Sequence, residues 1–404
     1  PTLSELSITA SGVSVNWEAN TDKRLEGYRL YYATDNSLAD WQLAASEETL
    51  SRETVSVTIS TDDFIVAPAG DAYHFRLTAI SEGGFESPPS DTYSAASGGE
   101  TNVLIVDGFD RFSGSYASSS HTFAKSYHQG LITNETYNIS TVSNEHVTSE
   151  SFDLNAYDIV FWFLGDESTV KETFSAAEQG AVEGYLEQGG KLFVSGAEVG
   201  WDLFDRGSAQ DKAFFNNYLK AGYVSDGGNG LSPATGLPDT EFSDLVINFG
   251  IVYPEDFPDE IEAFEGSTNA LSYSAGTFAG IAYTGTFGSS TEIGKLVYFA
   301  FPLETADAAT MIETLAVIGA YFKDPDPVTG VKSIVVSSLE AGLYPNPSSA
   351  TTTLALTLGE TAEPTSLQMV IFNAKGQEQY RKTLQLQQGV NQFDLETQNL
   401  KSGM

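Results

Sequence analysis

Six acidic side chains stand where an open α/β sheet would present chemistry. Asp107 and Asp110 follow the apolar run 103–106, Asp166 and Glu167 follow the run ending at 164, and Glu198 and Asp202 follow the run 192–195. Ligands of such sheets bind beyond the carboxyl ends of the strands. If the three strands are neighbours, the carboxylates converge, and their repulsion raises pKa values or draws in a cation. Two kinds of chemistry fit: a general acid working with a general base, or oxygen ligands holding Ca2+ in the acidic loops. Glu198, Asp107, Asp166 and Asp202 are therefore the candidate catalytic residues. Trp201, Asp110 and Arg111 are the candidate ligand contacts, with Trp201 able to stack on a sugar ring. The competing account is that loop acids in so acidic a chain only cap helices and carry solvated charge.

Other chemistries are poorly served. The chain has no cysteine, which removes thiolate nucleophiles, disulfides and cysteine zinc sites. His121 and His128 fall in an expected helix after the first apolar run, without a paired His-Glu-x-x-His motif for a metal hydrolase. Ser113, Ser115, Ser118, Ser119 and Ser120 read as loop residues, and no glycine-rich phosphate loop with lysine occurs. A formal charge of −36, from 55 acidic against 19 basic residues, repels phosphate backbones, so nucleic acid is excluded as a partner. No apolar run approaches the roughly 20 residues of a spanning helix. The opening Pro1-Thr2 lacks a signal-peptide pattern, so a mature or trimmed form, or one part of a longer protein, is expected.

The elements that must position the acids fall into three blocks. Residues 1–97 alternate polar and apolar, as in Val13-Ser14-Val15-Asn16-Trp17, which predicts a small β-sandwich; His74 lies inside such a strand as a core or surface residue. Ser94-Ala95-Ala96-Ser97-Gly98-Gly99 reads as a flexible linker. From 101 to 323 continuous apolar runs alternate with helical stretches, the pattern of a three-layer α/β domain with a mostly parallel sheet. A capping box, Ser175-Ala176-Ala177-Glu178, starts one helix, 212–219 is another, and 306–322 closes the block. Residues 225–290 read as added strands and loops. After the stiff Asp324-Pro325-Asp326-Pro327, residues 333–404 alternate again as a second β-sandwich. The fold class is thus multidomain: β-sandwich, α/β three-layer domain, β-sandwich.

Three resemblances accompany this pattern. Trp17, Tyr73 and the ending Glu82-Gly83-Gly84-Phe85-Glu86-Ser87-Pro88-Pro89-Ser90 resemble a fibronectin type III domain, which implies a rigid spacer. Leu343-Tyr344-Pro345-Asn346-Pro347, Phe372-Asn373 with Gly376, and Leu400-Lys401-Ser402-Gly403-Met404 resemble in order the C-terminal sorting domain of type IX secretion substrates. That resemblance implies a Bacteroidota-type bacterium and delivery across its outer membrane. The implied partners are the secretion system's outer-membrane shuttle and translocon proteins, with Tyr344, Pro345, Asn346, Pro347, Gly376 and Gly403 as the signal. The family's basic or aromatic tail does not follow Met404, so a shortened end is expected. The central block resembles class I glutamine amidotransferase-like domains of flavodoxin-like fold. Their catalytic members carry a Gly-x-Cys-x-Gly elbow and a His-Pro-x-Glu-like step. Here Gly196-Ala197-Glu198-Val199-Gly200 and Phe301-Pro302-Leu303-Glu304 replace the cysteine and the histidine, which removes the nucleophile and its base.

The expected protein is a secreted or surface-delivered modular chain whose central domain binds or scaffolds. The alternative is an extracellular hydrolase of glycan or peptidoglycan using a carboxylate pair that includes Glu198. That chemistry requires two carboxyls roughly 5 to 10 Å apart in an open cleft.

Overall fold

Alternation at the start of the chain gives eight strands: β1 (Leu3–Thr9), β2 (Gly12–Trp17), β3 (Leu25–Ala33), β4 (Gln42–Ala45), β5 (Ser56–Ile59), β6 (Ala72–Ser81), β7 (Phe85–Glu86) and β8 (Tyr93–Ala96). They pair antiparallel, and their inward residues bury Trp17 edge-on against Tyr28 at 5.5 Å. The computed structural model describes residues 1–64, 72–111, 118, 120–228, 230–324, 339–344, 351–358, 365–372, 378–386 and 389–396. The chain divides into two units, Pro1–Asp324 and Pro325–Met404.

The first half of the expected linker at 94–99 is strand. β8 pairs with β6 on one side, and Ala96 pairs with Ile139 of the next module on the other. Ser94 is fully buried because its backbone trades hydrogen bonds with the Thr141 hydroxyl and its own hydroxyl meets His74 Nδ1 at 2.7 Å. Small residues here allow close backbone approach rather than mobility.

The five continuous runs become β9 (Asn102–Asp107), β10 (Asn138–Ser143), β11 (Ile159–Phe163), β12 (Lys191–Ser195) and, after an insertion, β19 (Ile293–Phe299). They lie parallel in the order β10-β9-β11-β12-β19. Alternate residues of each strand feed opposite cores. Ile105, Phe161, Phe193 and Val297 meet Tyr127 and Leu131 of α1 (Phe123–Asn134) on one face. Leu104, Trp162, Val194 and Tyr298 form the other, over which short helices α2 (Asn144–Val147) and α3 (Ser168–Lys171) precede α4 (Ala176–Glu187) and α5 (Ala209–Asn217). Both halves of the capping box are made at Ser175, and α6 (Ala308–Lys323) packs on the α1 face. His128 lies in α1, whereas His121 precedes the helix.

The sheet as a whole is mixed rather than mostly parallel. The insertion adds β13 (Ala221–Asp226), β14 (Ala234–Gly236), β15 (Val246–Ile247), β16 (Asp259–Ala263), β17 (Thr268–Tyr273) and β18 (Phe278–Thr286), and every pairing these strands make is antiparallel. Their short connections suit hairpins and are too short for parallel crossovers. At the other edge β10 is covered by β1, with Glu5 beside Val142 and Leu6 beside Thr141.

The second unit holds β20 (Leu339–Tyr344), β21 (Thr351–Leu358), β22 (Thr365–Phe372), β23 (Glu378–Leu386) and β24 (Gly389–Glu396). The order is β20-β21-β24 in one sheet and β22-β23 in another, and buried Leu356 and Leu384 join the two in one apolar cluster. Tyr344 ends β20; Pro345, Asn346, Pro347, Gly376 and Gly403 lie outside the described residues.

Candidate functional site

The parallel register sets the site. Asp107 lies beside Phe163, Phe163 beside Ser195 and Ser195 beside Phe299, so the turns leaving β9, β11, β12 and β19 emerge from one row. The order reverses between β9 and β11, the place where such sheets open a crevice.

In the first turn Asp107 accepts the Phe109 N–H at 3.2 Å and is otherwise surrounded by acids. Burial holds its carboxyl well above the usual range, reinforced by Asp91 and Asp110. Asp110 is pushed up to about 7 by burial, then by Glu145, whose carboxyl it meets. His121 stacks on Phe109 at 4.9 Å and donates its backbone N–H to Asp91.

The second turn runs over Gly165, whose φ of +56 lets the backbone close on Phe109; a Cβ there would come within 2.3 Å of that ring. Asp166 and Glu167 follow, both buried. Arg111 binds this turn: its Nη1 reaches the Asp166 carbonyl at 3.0 Å and the carboxylate at 3.4 Å. Glu167 accepts the Arg111 backbone N–H, yet burial lifts it to about 8, with Asp110 adding to the rise. Burial lifts Asp166 to about 6 against the pull of Arg111.

The third turn places Glu198 at φ +55, a left-handed conformation unfavourable for a side chain with a Cβ. The bend is pinned by Ala197 N–H to the Gly165 carbonyl at 2.9 Å. Glu198 is half-buried; burial raises its pKa, a bond from Ser168 opposes this, and Asp166 adds to it. Asp202 does not join it. Its carboxylate accepts Thr173 N–H at 2.8 Å and Thr173 Oγ1–H at 2.9 Å, holding the loop after α3. Trp201 lies under the Arg206 guanidinium, 4.3 Å from its ring centre, in a π-helical turn Trp201–Arg206.

Three acids absent from the expected set complete the site. Glu304, buried after β19, accepts Tyr253 Oη–H at 3.1 Å and Tyr127 Oη–H at 3.2 Å, and burial brings it to about 7. Burial raises Glu255 strongly, and the charges of Asp166, Glu304 and Glu198 act on it further. Asp259, fully buried, accepts Gly200 N–H at 2.6 Å under the Glu198 bend. Glu255 and Asp259 come from the insertion, each directly after a proline, Pro254 and Pro258, so no strand-end pattern pointed to them.

The acids therefore form two groups. Asp107 and Asp110 gather with Asp91 and Glu145, while Asp166 and Glu198 gather with Glu255, Glu304 and Arg111. Among the described residues no group of three or more acids or histidines is arranged to hold a metal ion. His74 and His128 are buried in the seam between modules, rings 5.3 Å apart, and burial keeps both neutral.

Comparison with known proteins identifies one part of the chain. Residues 342–404 match the family of secretion system C-terminal sorting domains, which marks the chain for export by type IX secretion to the cell surface or the medium. No helix among the described residues is long and apolar enough to cross a membrane. A search of curated proteins gives no match. Among solved structures, a spore cortex lytic enzyme of Clostridium perfringens is 23% identical over 23% of this chain and 26% of that one, with a TM-score of 0.19. A human fibronectin type III domain is 19% identical over 25% of this chain and 87% of its own, with a TM-score of 0.18. An α-L-fucosidase of Paenibacillus thiaminolyticus is 13% identical over 73% of this chain and 47% of that one, with a TM-score of 0.35. At these scores none carries a function to this chain.

Proposed function

We propose that the chain is an exported modular protein in which 1–97 is a fibronectin type III-like sandwich and 101–323 an amidotransferase-like three-layer domain that binds or scaffolds without hydrolysing glutamine. Residues 333–404 are a second sandwich read by the shuttle and translocon proteins of the secretion system. The doubly wound order of the parallel strands and the helices on both their faces support the central assignment. One observation carries the absence of glutaminase chemistry. Where that family has its thiol stands Glu198 at φ +55, and where the base would stand is Phe301, buried and stacked on Phe249 at 4.6 Å and Phe299 at 5.5 Å. Neither position supplies the thiolate or the histidine base that glutamine hydrolysis in that family uses. Incubation with glutamine is expected to release no ammonia above the blank; release that follows protein concentration would overturn the reading. Removing 333–404 in a host with the secretion system should retain the protein inside the cell.

A second reading, a hydrolase of extracellular glycan or peptidoglycan, draws support from burial raising the pKa of Glu198 and of Glu255, with Asp166 adding to both, beside Glu304 at about 7. A polysaccharide and peptidoglycan panel decides between the two. Product formed by the native chain and lost in Glu198→Gln would install the hydrolase; no product from either keeps the binding module.

A further inference from the structure

A pocket of 140 Å3 opens between α1 and the start of α6. Its two walls differ in chemistry. From α1 come Lys125 and Gln129, four residues apart and so on one helix face. From α6 come Ala308, Met311 and Ile312, at the three- and four-residue spacing of an apolar face, and Val252 adds to this wall from the loop before Tyr253. Val252 is 58% exposed and its neighbour Ile251 56%, yet both are held in place by N–H bonds to the Thr305 carbonyl at 2.9 and 2.8 Å. Aliphatic side chains fixed in solvent beside a pocket favour an occupant with an apolar part.

The α1 wall sets the other half of that occupant. Lys125 is half-buried, and its Nζ donates to Gln129 Oε1 at 2.8 Å, which leaves its remaining N–H bonds and the Gln129 amide nitrogen as donors. Among the described residues no carboxylate pairs with Lys125, and Asp35 acts on it only through its charge. Glu304, which also reaches the lining, has its two oxygens turned to Tyr127 and Tyr253. In a chain of charge −36, an ammonium without an ion-pair partner, facing an apolar wall, complements an anion that carries an aliphatic tail. Size limits the tail, since a cavity of about 150 Å3 holds a six-carbon molecule, benzene. We propose that this pocket binds a short aliphatic carboxylate of about four to six carbons, its carboxylate on Lys125 and Gln129 and its tail against Met311, Ile312 and Val252. The site borders the central acids at Glu304 and rests on the reading of this domain as a binding module; the glutamine and polysaccharide tests of that reading do not involve Lys125, so either can fail alone.

The test uses the full chain, 13C-labelled at its methionine methyl groups, titrated with butanoate, pentanoate and hexanoate. Met311 reports on the pocket, while Met369 and Met404 serve as references; Met311→Leu identifies the pocket signal by removing it. At least one of the acids should move the Met311 signal saturably, with a Kd on the order of 1 mM, while Met369 stays still. Lys125→Gln should weaken that binding at least about fivefold with the unbound spectrum unchanged. Pentanamide, which lacks the charge, and acetate, which lacks the tail, should each bind the native chain at least about fivefold more weakly than pentanoate. No saturable movement of Met311 up to about 50 mM of any of the three acids overturns the proposal. So does binding that Lys125→Gln leaves at full affinity, or pentanamide or acetate binding as tightly as pentanoate, since charge or tail then plays no part.

Discussion

The turn after β9 and the turns after β11 and β12 use the same kind of residue for opposite purposes. Around Asp107 and Asp110 carboxyls face other carboxyls, Asp91 and Glu145, and burial reinforced by repulsion lifts the pKa values of Asp107 and Asp110. Around Glu198, carboxylates are spent on the backbone: Asp259 takes Gly200 N–H, Asp202 takes Thr173 N–H and Glu167 takes Arg111 N–H. In the first arrangement burial and the neighbouring carboxyls favour the protonated forms. The second holds a bent loop in shape, its carboxyls accepting backbone N–H groups. An acid at a strand end is therefore no guide to its work until its acceptor atoms are accounted for.

The sharpest way to break this contrast is to remove one acid of each kind. Asp259→Ala strands the buried N–H of Gly200 and should destabilise by about 2–3 kcal/mol in denaturant unfolding. Asp107→Asn keeps the acceptor for Phe109 N–H and removes a charge that burial already disfavours, so it should cost less than about 0.5 kcal/mol or stabilise. Equal losses would erase the distinction.

Acidity acts on both next. Asp110 and Glu304 at about 7, Glu167 at about 8 and Asp166 at about 6 all titrate above their unfolded values near 4. Between about pH 4 and 8 the folded chain holds more protons than the unfolded one, so stability is fullest at the acid end and falls as pH rises. The melting temperature should drop by several degrees from pH 5 to pH 8, and Asp110→Asn should flatten the slope. A rising or level profile would contradict the acid–acid contacts.

Glu198→Gly should relieve the left-handed bend and stabilise by about 1 kcal/mol, read in the same unfolding curves. The smallest effect expected is from calcium. With carboxylates tied to N–H groups, millimolar Ca2+ followed by chelator should shift the melting temperature by less than about 1 °C.

Local patterns carried much of this into the sequence. Ser175 and Glu178 declare their helix because a capping box is complete within four residues. The glycines on either side of Glu198 mark close packing: a Cβ on Gly196 would meet Leu164 at 2.7 Å and one on Gly200 would meet Tyr223 at 2.7 Å. What stayed hidden depends on partners far away. Asp202 looks like Glu198's neighbour in sequence, yet Thr173 claims it. Glu255 and Asp259 reach the site only because the insertion folds back as antiparallel strands. The stretch 94–99 reads as loose because serine and alanine are small, and nothing local shows that β6 and β10 close on it from both sides.

That last feature has a mechanical consequence for a protein exported to the cell surface or the medium. β1 and β8 ladder directly onto β10, so the opening module is laminated to the next rather than strung before it like a bead. Tension along the chain must shear both together. Severing them at 98–99 would bare the flank of β10, an invitation to strand-to-strand sticking between copies.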